Sequence, residues 1–379
     1  MEKIVPRGFG LAFAEKLTVF VPLSAPGDEL RVRITQLKKR TAFAEIIEVI
    51  DPGPERVDPP CIYFGACGGC NFQQLSYEAQ LRAKVDIIRD CLLRIGKLDL
   101  GSEITIIPSP REYDYRSRVR WQIDSSQRRF GYFRRDSNEV INVETCPVLS
   151  PPLENTLRDI RTGMDWGDFP NLGEALAACG DSGRVSVRSS VGVESAEEIT
   201  HTVSGEEYSF SAETFYQANQ LLLPALVESA IGGASGQTAL DLYAGVGLFA
   251  IPLARTFQNV IAVEGDPRAV EFSKKNVKRA ELSNVRVLRD SVGRFLSQNN
   301  PNADFILIDP PRSGTEREVI ASIVKLRPRQ ISYVSCEPSI LARDLRTIFD
   351  GGYQIESVIA LDLFPQTHHV ETVVRLKKT

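Results

Sequence analysis

The chain has 379 residues, a net charge of −4 at pH 7 and a hydrophobic fraction of 42%. These values are typical of a globular protein long enough for two or three domains. No apolar stretch has the length of a membrane span, and the N-terminus lacks an apolar signal-peptide core, so we expect a cytoplasmic protein without a membrane anchor. Because the net charge is slightly negative, any nucleic-acid binding must use local basic patches.

The first 51 residues contain short segments of alternating polarity separated by turn residues, such as residues 18–22, 29–34 and 42–47. About five strands in this length predict a small closed barrel of the kind that binds oligonucleotides. A Pro-rich linker follows at residues 51–60 and marks the first domain boundary.

Seven cysteines are present, an odd number with uneven spacing that favours metal binding and catalysis over a disulfide framework. Four thiolates at Cys61, Cys67, Cys70 and Cys146 suit either tetrahedral Zn²⁺ or an iron–sulfur cluster. A zinc ribbon usually has two C-x2-C pairs and this chain has one, which favours a cubane (4Fe–4S) cluster. Cys91 lies on an apolar helical stripe and is predicted to be a core residue.

An Arg-rich segment follows a helix predicted at about residues 77–96. Between residues 111 and 135 there are eight Arg and three acidic residues, with aromatic residues interleaved. Arg116, Arg118 and Arg120 alternate and would share one face of a strand. Arginines for phosphates and aromatic faces for unstacked bases are typical of single-stranded RNA binding. The alternative is a solvated edge strand.

From residue 209 the pattern changes to alternating strands and helices. A strand, a turn containing Gly245 and Gly247, and a helix allow a ligand to approach the backbone closely. Ala250 replaces the third glycine of a dinucleotide fingerprint, and Glu264 ends the next strand, where it could accept ribose hydroxyls. Together with Asp309-Pro310-Pro311, this pattern indicates S-adenosylmethionine and not a nicotinamide cofactor.

Two further apolar runs, at residues 306–308 and 331–335, are predicted to be buried parallel strands. Cys336 follows the second run and would lie at the carboxyl end of the sheet, where ligands bind in open α/β folds. Its polar neighbours Ser335 and Glu337, and a helix that begins shortly afterwards, favour a nucleophilic thiol. The alternative is a small buried hydrophobic residue.

These combined motifs resemble the RNA uracil-5 methyltransferase family, in particular its bacterial ribosomal-RNA members that carry an iron–sulfur cluster. The resemblance implies an α/β class I (Rossmann-like) methyltransferase domain at residues 206–379 and an OB/TRAM-like β-barrel at residues 1–51. Between them it implies a central iron–sulfur, β-rich RNA-binding domain at residues 52–205, with the helix near residues 77–96 packed on the catalytic domain. The expected protein is a monomer.

The resemblance also implies residue roles. Cys336 matches the nucleophile, Glu371 the general base, and Gln217, Tyr243, Glu264 and Asp309 the cofactor-binding positions, to which the turn glycine Gly245 adds a fifth. Cys61, Cys67, Cys70 and Cys146 match the cluster ligands. Leu248 and Glu337 stand where many members have Asn, which concerns a cofactor contact and substrate contacts respectively.

The residues support this chemistry independently. C5 of uracil is a poor nucleophile, so a thiolate such as that of Cys336 must first add to C6. A carboxylate such as Glu371 can then remove the C5 proton, with His368 and His369 as alternative bases. The target uridine must be flipped out or presented in a loop, and Phe215 is a candidate stacking partner.

Three alternatives stay open at this stage. The RNA could be transfer RNA and not 23S ribosomal RNA. Asp309-Pro310-Pro311 also resembles motifs of amino-group methyltransferases, although that activity would leave Cys336 without a role. Finally, the chain could be an RNA-binding or chaperone module with a vestigial catalytic domain.

Overall fold

The computed structural model describes residues 1–99, 104–164, 166, 172–189 and 197–379. Within these ranges the strands form three multistranded sheets and one separate hairpin. In the same ranges, no helix combines the length and the apolar character needed to cross a membrane.

The N-terminal unit is a five-stranded sheet with the order β1-β2-β3-β5-β4. Val19, Val21, Ala42 and Ala44 are buried at alternate positions of β3 and β5 and form its small core. This alternation is the period of two expected of a half-buried strand. The strands are β1 (Lys3–Val5), β2 (Phe9–Ala14), β3 (Leu17–Pro22), β4 (Glu29–Lys38) and β5 (Thr41–Asp51).

A long helix follows the cysteine-rich segment. Ser76 caps its N-terminus by accepting a hydrogen bond from the Ala79 amide at 3.4 Å. The helix, α1 (Tyr77–Cys91), continues as a π-helical turn at Leu92–Gly96 and is followed by the short strand β6 (Thr105–Ile107).

The central unit is a five-stranded antiparallel sheet with the order β11-β10-β7-β8-β9. Leu153, Leu157 and Ile160 lie on one side of its helix at helical spacing and pack against Trp121 and Phe130 of the sheet. The elements are β7 (Arg118–Asp124), β8 (Arg129–Phe133), β9 (Val140–Asn142), α2 (Pro151–Gly163), β10 (Leu172–Cys179) and β11 (Val185–Ser189).

The C-terminal part begins with a hairpin, β12 (Ile199–Val203) and β13 (Glu206–Phe210), and then builds a large eight-stranded sheet. The remaining elements are α3 (Leu223–Ile231), β14 (Gly236–Leu242), α4 (Ala250–Ala254), β15 (Phe257–Glu264), α5 (Pro267–Arg279), β16 (Val285–Arg289), α6 (Val292–Gln298), β17 (Phe305–Ile308), α7 (Arg317–Leu326), β18 (Gln330–Ser335), α8 (Pro338–Asp350), β19 (Tyr353–Leu361) and β20 (Glu371–Lys378).

The large sheet has the order β16-β15-β14-β17-β18-β20-β19-β6, with β20 antiparallel to both of its neighbours. The parallel strands are apolar on both faces because helices cover both sides; all four residues of β17 are buried. Their carboxyl ends meet at one edge, which is where the predicted site residues lie.

Two segments outside residues 206–379 belong to the core of the large sheet. Ile87 and Ile88 of α1 pack in the same core as Leu240 and Leu341, and β6 pairs with β19 at the edge of the sheet. The hairpin of β12 and β13 straddles the boundary predicted at 205/206 and also packs on this sheet, since Tyr208 enters its second core. The unit built on the large sheet thus includes the hairpin, α1, as expected for that helix, and β6.

Candidate active site and thiol pocket

Three neighbouring strands bring the predicted catalytic groups to one edge of the large sheet. Asp309 follows β17 and Cys336 follows β18, while β20 runs in the opposite direction and begins at Glu371. Ser335 pairs with Thr372, so the register places Glu371 opposite the position of Cys336. The strand order, and not closeness in sequence, brings these residues together.

The Cys336 thiol is partly buried. Burial, followed by the Glu371 carboxylate, raises its pKa to about 12, while the charge and hydrogen bond of the Arg312 guanidinium act in the opposite direction. The sequence led us to expect that the N-terminus of the following helix would favour the thiolate. In the structure Glu337 caps α8 by accepting a hydrogen bond from the Ser339 backbone amide at 3.4 Å, and the cation beside the thiol is Arg312.

Arg312 is the site residue that the sequence analysis missed. Its guanidinium carbon lies 5.8 Å from the centre of the Phe364 ring, so an aromatic face holds it beside the thiol. The available signal was its place directly after Asp309-Pro310-Pro311, at the carboxyl end of β17. A cation at that position lies at the same edge of the sheet as Cys336.

Two carboxyl groups are buried beside the thiol. Burial raises the pKa of Asp309 to about 7. Burial and the Asp309 charge raise the pKa of Glu371 well above its ordinary value, and Arg312 lowers it. Two negative charges close together and away from solvent are unfavourable. The Asp309–Glu371 pair therefore retains a proton near neutral pH. Glu371 is only 3% exposed.

His368 and His369, the alternative bases, precede Glu371 in the chain. Burial lowers the pKa of His368 to about 4 and that of His369 to about 2, so both rings are neutral at pH 7. Their ring centres are 4.1 Å apart, and Nδ1 of His368 lies 2.9 Å from Nδ2 of Asn71. Both histidines are therefore held in packed positions.

The predicted cofactor residues surround the ends of β14 and β15. Gly245 has a φ of +54° that favours glycine, and its amide donates to the Glu264 carboxylate at 2.8 Å. Tyr243 also has a positive φ, and its hydroxyl lies 2.5 Å from that of Thr315. The Asp309 amide donates to the carbonyl of Leu242 at 3.3 Å, which ties β17 to this turn.

Asp241, near the carboxyl end of β14, is fully buried, with the Ala250 backbone amide on its carboxylate side. Burial, followed by the charge of Asp309, raises its pKa to about 8. Gln217 is 5% exposed and lies between β13 and α3. The helical backbone after Gln217 begins with a 3₁₀ turn at Gln220–Leu222.

The Arg-rich segment divides into two parts. Arg118 and Arg120 share one face of β7, and the guanidinium carbon of Arg118 lies 5.8 Å from the ring centre of Phe215, which is 61% exposed. Arg116, which was expected to share this face, precedes β7 and forms isolated β-bridges with Leu149 and Asn219. Its side chain lines the pocket formed by the clustered thiols instead.

The four predicted cluster ligands, Cys61, Cys67, Cys70 and Cys146, line one pocket together with Arg116. The Gly69 amide donates to Sγ of Cys67 at 3.4 Å, and the Tyr132 hydroxyl donates to Sγ of Cys146 at 3.6 Å. Among the residues that the structure describes, no three His, Cys, Asp or Glu side chains form a site for a single metal ion. The donor set of this pocket is four cysteine thiols, which are ligands for both Zn²⁺ and iron–sulfur clusters.

Comparison with known proteins decides the family. Residues 196–379 match a family model described as tRNA (uracil-5-)-methyltransferase, and residues 1–54 match the TRAM domain of tRNA (uracil(54)-C(5))-methyltransferase. An uncharacterized RNA methyltransferase from Synechocystis is 31% identical over 98% of this chain and 93% of that protein. The chain belongs to the RNA uracil-5 methyltransferase family. The N-terminal unit is accordingly a TRAM domain and the large sheet is the methyltransferase sheet.

One further relative and one solved structure match this chain over nearly its whole length. The 23S rRNA (uracil(1939)-C(5))-methyltransferase RlmD of Vibrio cholerae is 28% identical over all of this chain and 95% of its own length. The crystal structure of the Pyrococcus abyssi tRNA (uracil-54, C5)-methyltransferase, in complex with S-adenosyl-L-homocysteine, aligns with a TM-score of 0.77. It is 24% identical and covers 99% of this chain and 98% of that one, so the two proteins share a fold throughout.

The chain is thus an RNA (uracil-5-)-methyltransferase that uses S-adenosylmethionine. The edge of the methyltransferase sheet brings together a thiol, a cation and two carboxyl groups from three neighbouring strands. Such a set has no use in a vestigial domain.

Proposed function

We propose that this enzyme methylates C5 of a uridine in 23S ribosomal RNA through a covalent bond between Sγ of Cys336 and C6 of the base. The observation that carries the mechanism is the convergence of Asp309, Cys336 and Glu371 at adjacent strand ends. Ribosomal RNA is favoured because the Vibrio relative that matches the chain over its full length is a 23S rRNA enzyme. Transfer RNA is the second candidate, because the two family models and the Pyrococcus enzyme are named for it.

The reaction begins at Cys336. Arg312 favours the thiolate, which adds to C6, and the electrons of the C5–C6 double bond move toward the C4 carbonyl as an enolate. C5 then accepts a methyl group; S-adenosylmethionine, when bound, supplies it from its sulfonium. Glu371 takes the proton from C5, the C5–C6 double bond forms again, and the thiolate leaves C6.

Glu371 can act as this base only in its deprotonated form. The buried Asp309–Glu371 pair must therefore give up its retained proton before the step, and Arg312 favours that form electrostatically. Afterwards the raised pKa of Glu371 makes the buried carboxylate an effective proton acceptor.

The cofactor is held at the ends of β14 and β15 in this proposal. The Glu264 carboxylate, at the end of its strand, is placed to accept ribose hydroxyls, and the positive φ of Gly245 lets a ligand approach the backbone. Tyr243, Asp309 and Gln217 complete the proposed pocket, by analogy with the positions of the family motif.

For RNA contacts we propose Arg118, Arg120 and Phe215. The stacked arrangement of Arg118 on an exposed aromatic ring offers both a phosphate ligand and a face for an unstacked base. Arg116 has a different proposed role, because its buried guanidinium compensates the negative charge of the thiol pocket.

We also propose that Cys61, Cys67, Cys70 and Cys146 hold a 4Fe–4S cluster with a structural role. Protein purified without oxygen should contain about four irons per chain and absorb as an iron–sulfur protein. One zinc per chain without iron would overturn this assignment.

The mechanism is tested by two variants that act on opposite sides of the covalent intermediate. Cys336→Ala should bind RNA but form neither product nor adduct. Glu371→Gln retains the shape but not the base, so protein covalently joined to methylated RNA should accumulate and appear as a slow band on a denaturing gel. Cys179→Ala, a buried thiol of the central sheet, is the matched control and should turn over normally. Methylation by Cys336→Ala would refute the covalent mechanism.

The choice of RNA needs a separate experiment. Mapping 5-methyluridine in ribosomal and transfer RNA from cells with and without the protein should show one site lost from 23S RNA. Loss from transfer RNA alone would support the second candidate.

A further inference from the structure

The segment that leads to Glu371 is a loop, residues 362–370, between β19 and β20. Gln366 at its centre is 1% exposed and has a φ of +67°, a left-handed conformation that is unfavourable for a residue with a side chain. A conformation of this kind persists only where surrounding groups enforce it. The 362–370 loop must therefore be held from outside the methyltransferase sheet.

Helix α1 supplies the first set of contacts. The Gln80 amide group makes two reciprocal hydrogen bonds with Gln366: its nitrogen donates to Oε1 at 3.0 Å, and its oxygen accepts from the backbone amide at 2.9 Å. One turn further along α1, Lys84 forms a fully buried ion pair with Asp362 and donates to the carbonyl of Phe364 at 3.0 Å. Two residues of one helix thus hold the start and the centre of the loop.

The segment directly after Cys70 supplies the second set. The backbone amides of Asn71 and Phe72 both donate to the carbonyl of Gln366 at 3.0 Å. The side chain of Asn71 makes two contacts with His368, one with the backbone amide and one with Nδ1, each at 2.9 Å. Gly8 of the TRAM domain closes this junction, since a Cβ there would lie 2.6 Å from Nδ2 of Asn71 and 3.0 Å from Cβ of His368.

We propose that Asn71 and Gln80 are positioning residues for proton abstraction: they fix the 362–370 loop so that the Glu371 carboxylate faces C5 of the uridine bound to Cys336. Glu371 follows the anchored residues by only a few positions and must lie opposite Cys336. Because Asn71 follows Cys70 directly, the thiol pocket and the catalytic carboxylate share one rigid connection. This inference rests on the covalent mechanism proposed above.

The test compares Asn71→Ala and Gln80→Ala with Gln74→Ala. Gln74 is the matched control because it is also 1% exposed, but its side-chain nitrogen donates to Ser24 of the TRAM domain at 3.1 Å. Misplacing the base should lower kcat by about 10- to 100-fold and lower KM for RNA with it, because the slowed step follows methyl transfer and the covalent intermediate accumulates before it. Both test variants should also accumulate the covalent RNA adduct, as Glu371→Gln does.

Hydrogen exchange gives a second readout that does not depend on activity. The amides of Gln366 and His368, which donate to Gln80 and Asn71, should lose protection in the respective variants, while the amides of β18 keep theirs. This pattern also shows that the variant is folded.

The outcomes separate the two proposals. If Glu371→Gln forms the adduct but Asn71→Ala and Gln80→Ala turn over like Gln74→Ala, the positioning role is wrong and the covalent mechanism stands. If Glu371→Gln turns over normally, Glu371 is not the base, and the positioning role falls with that assignment; the covalent bond to Cys336 is then judged by Cys336→Ala alone. A loss of RNA affinity with unchanged kcat in the test variants would also overturn the positioning role.

Discussion

The buried ion pair between Lys84 and Asp362 allows a quantitative test of how the 362–370 loop is attached. Both side chains are 0% exposed, and the pair joins α1 to the end of β19. Lys84→Met keeps most of the apolar volume but leaves the Asp362 carboxylate buried without a cation. Removing one partner of a buried pair costs about 3–5 kcal/mol of unfolding free energy.

For a unit of the size formed by the methyltransferase sheet and α1, each kcal/mol lost from the free energy of unfolding lowers Tm by about 2–4 °C. Lys84→Met should therefore lower the Tm of this unit by about 6–20 °C. The double variant Lys84→Met/Asp362→Leu removes both charges, so it should regain most of this loss. Calorimetry of the three proteins under identical conditions measures the coupling between the two residues.

The Lys3–Asp90 pair is the matched control. It joins Lys3 of β1 to Asp90 of α1 with an N–O distance of 2.7 Å, but its side chains are 39% and 25% exposed. Lys3→Met should cost less than about 1 kcal/mol, because water screens and replaces the interaction. Equal effects of Lys84→Met and Lys3→Met, or a double variant no more stable than Lys84→Met, would refute the reasoning from burial.

Three further predictions concern the pH profile, the junction at Gly8 and the RNA surface. The Asp309–Glu371 pair must be deprotonated to act as the base, and the pKa of each group is raised, that of Asp309 to about 7, so the rate at which the covalent adduct is resolved in a single turnover should rise with pH through neutrality. A flat profile between about pH 5.5 and 8 would exclude the pair as the base. Gly8→Ala should lower the free energy of unfolding by about 1–3 kcal/mol and reduce kcat. Gly205→Ala, with a similar positive φ but no atom within 4 Å of the added Cβ, should show only the smaller cost of the backbone, and equal effects would argue against crowding at the junction. Arg118→Ala should weaken RNA binding and reduce its salt dependence by about one unit of slope, measured by titration at several salt concentrations; an unchanged slope would place this side chain outside the RNA surface.

The sequence alone determined the parts of this protein that depend on local pattern. Alternating polarity in residues 1–51 predicted the strands of the TRAM domain, and abrupt ends of apolar runs placed Asp309 and Cys336 at strand ends. These predictions succeeded because burial on one or both faces leaves a period in the sequence. The spacing of the cysteines likewise predicted that Cys61, Cys67, Cys70 and Cys146 would lie together.

Tertiary structure alone decided which distant residues meet. Strand order put Arg312 beside Cys336 and inserted β20 between β18 and β19, and no local pattern encodes either contact. Arg116 was predicted to lie on one strand with Arg118 and Arg120. It precedes β7, and its side chain lines the thiol pocket. Gln80 and Gln366, whose hydrogen bonds attach the 362–370 loop to α1, are 286 positions apart in the chain. Such contacts depend on how whole elements pack, so a period or a spacing within one segment carries no information about them.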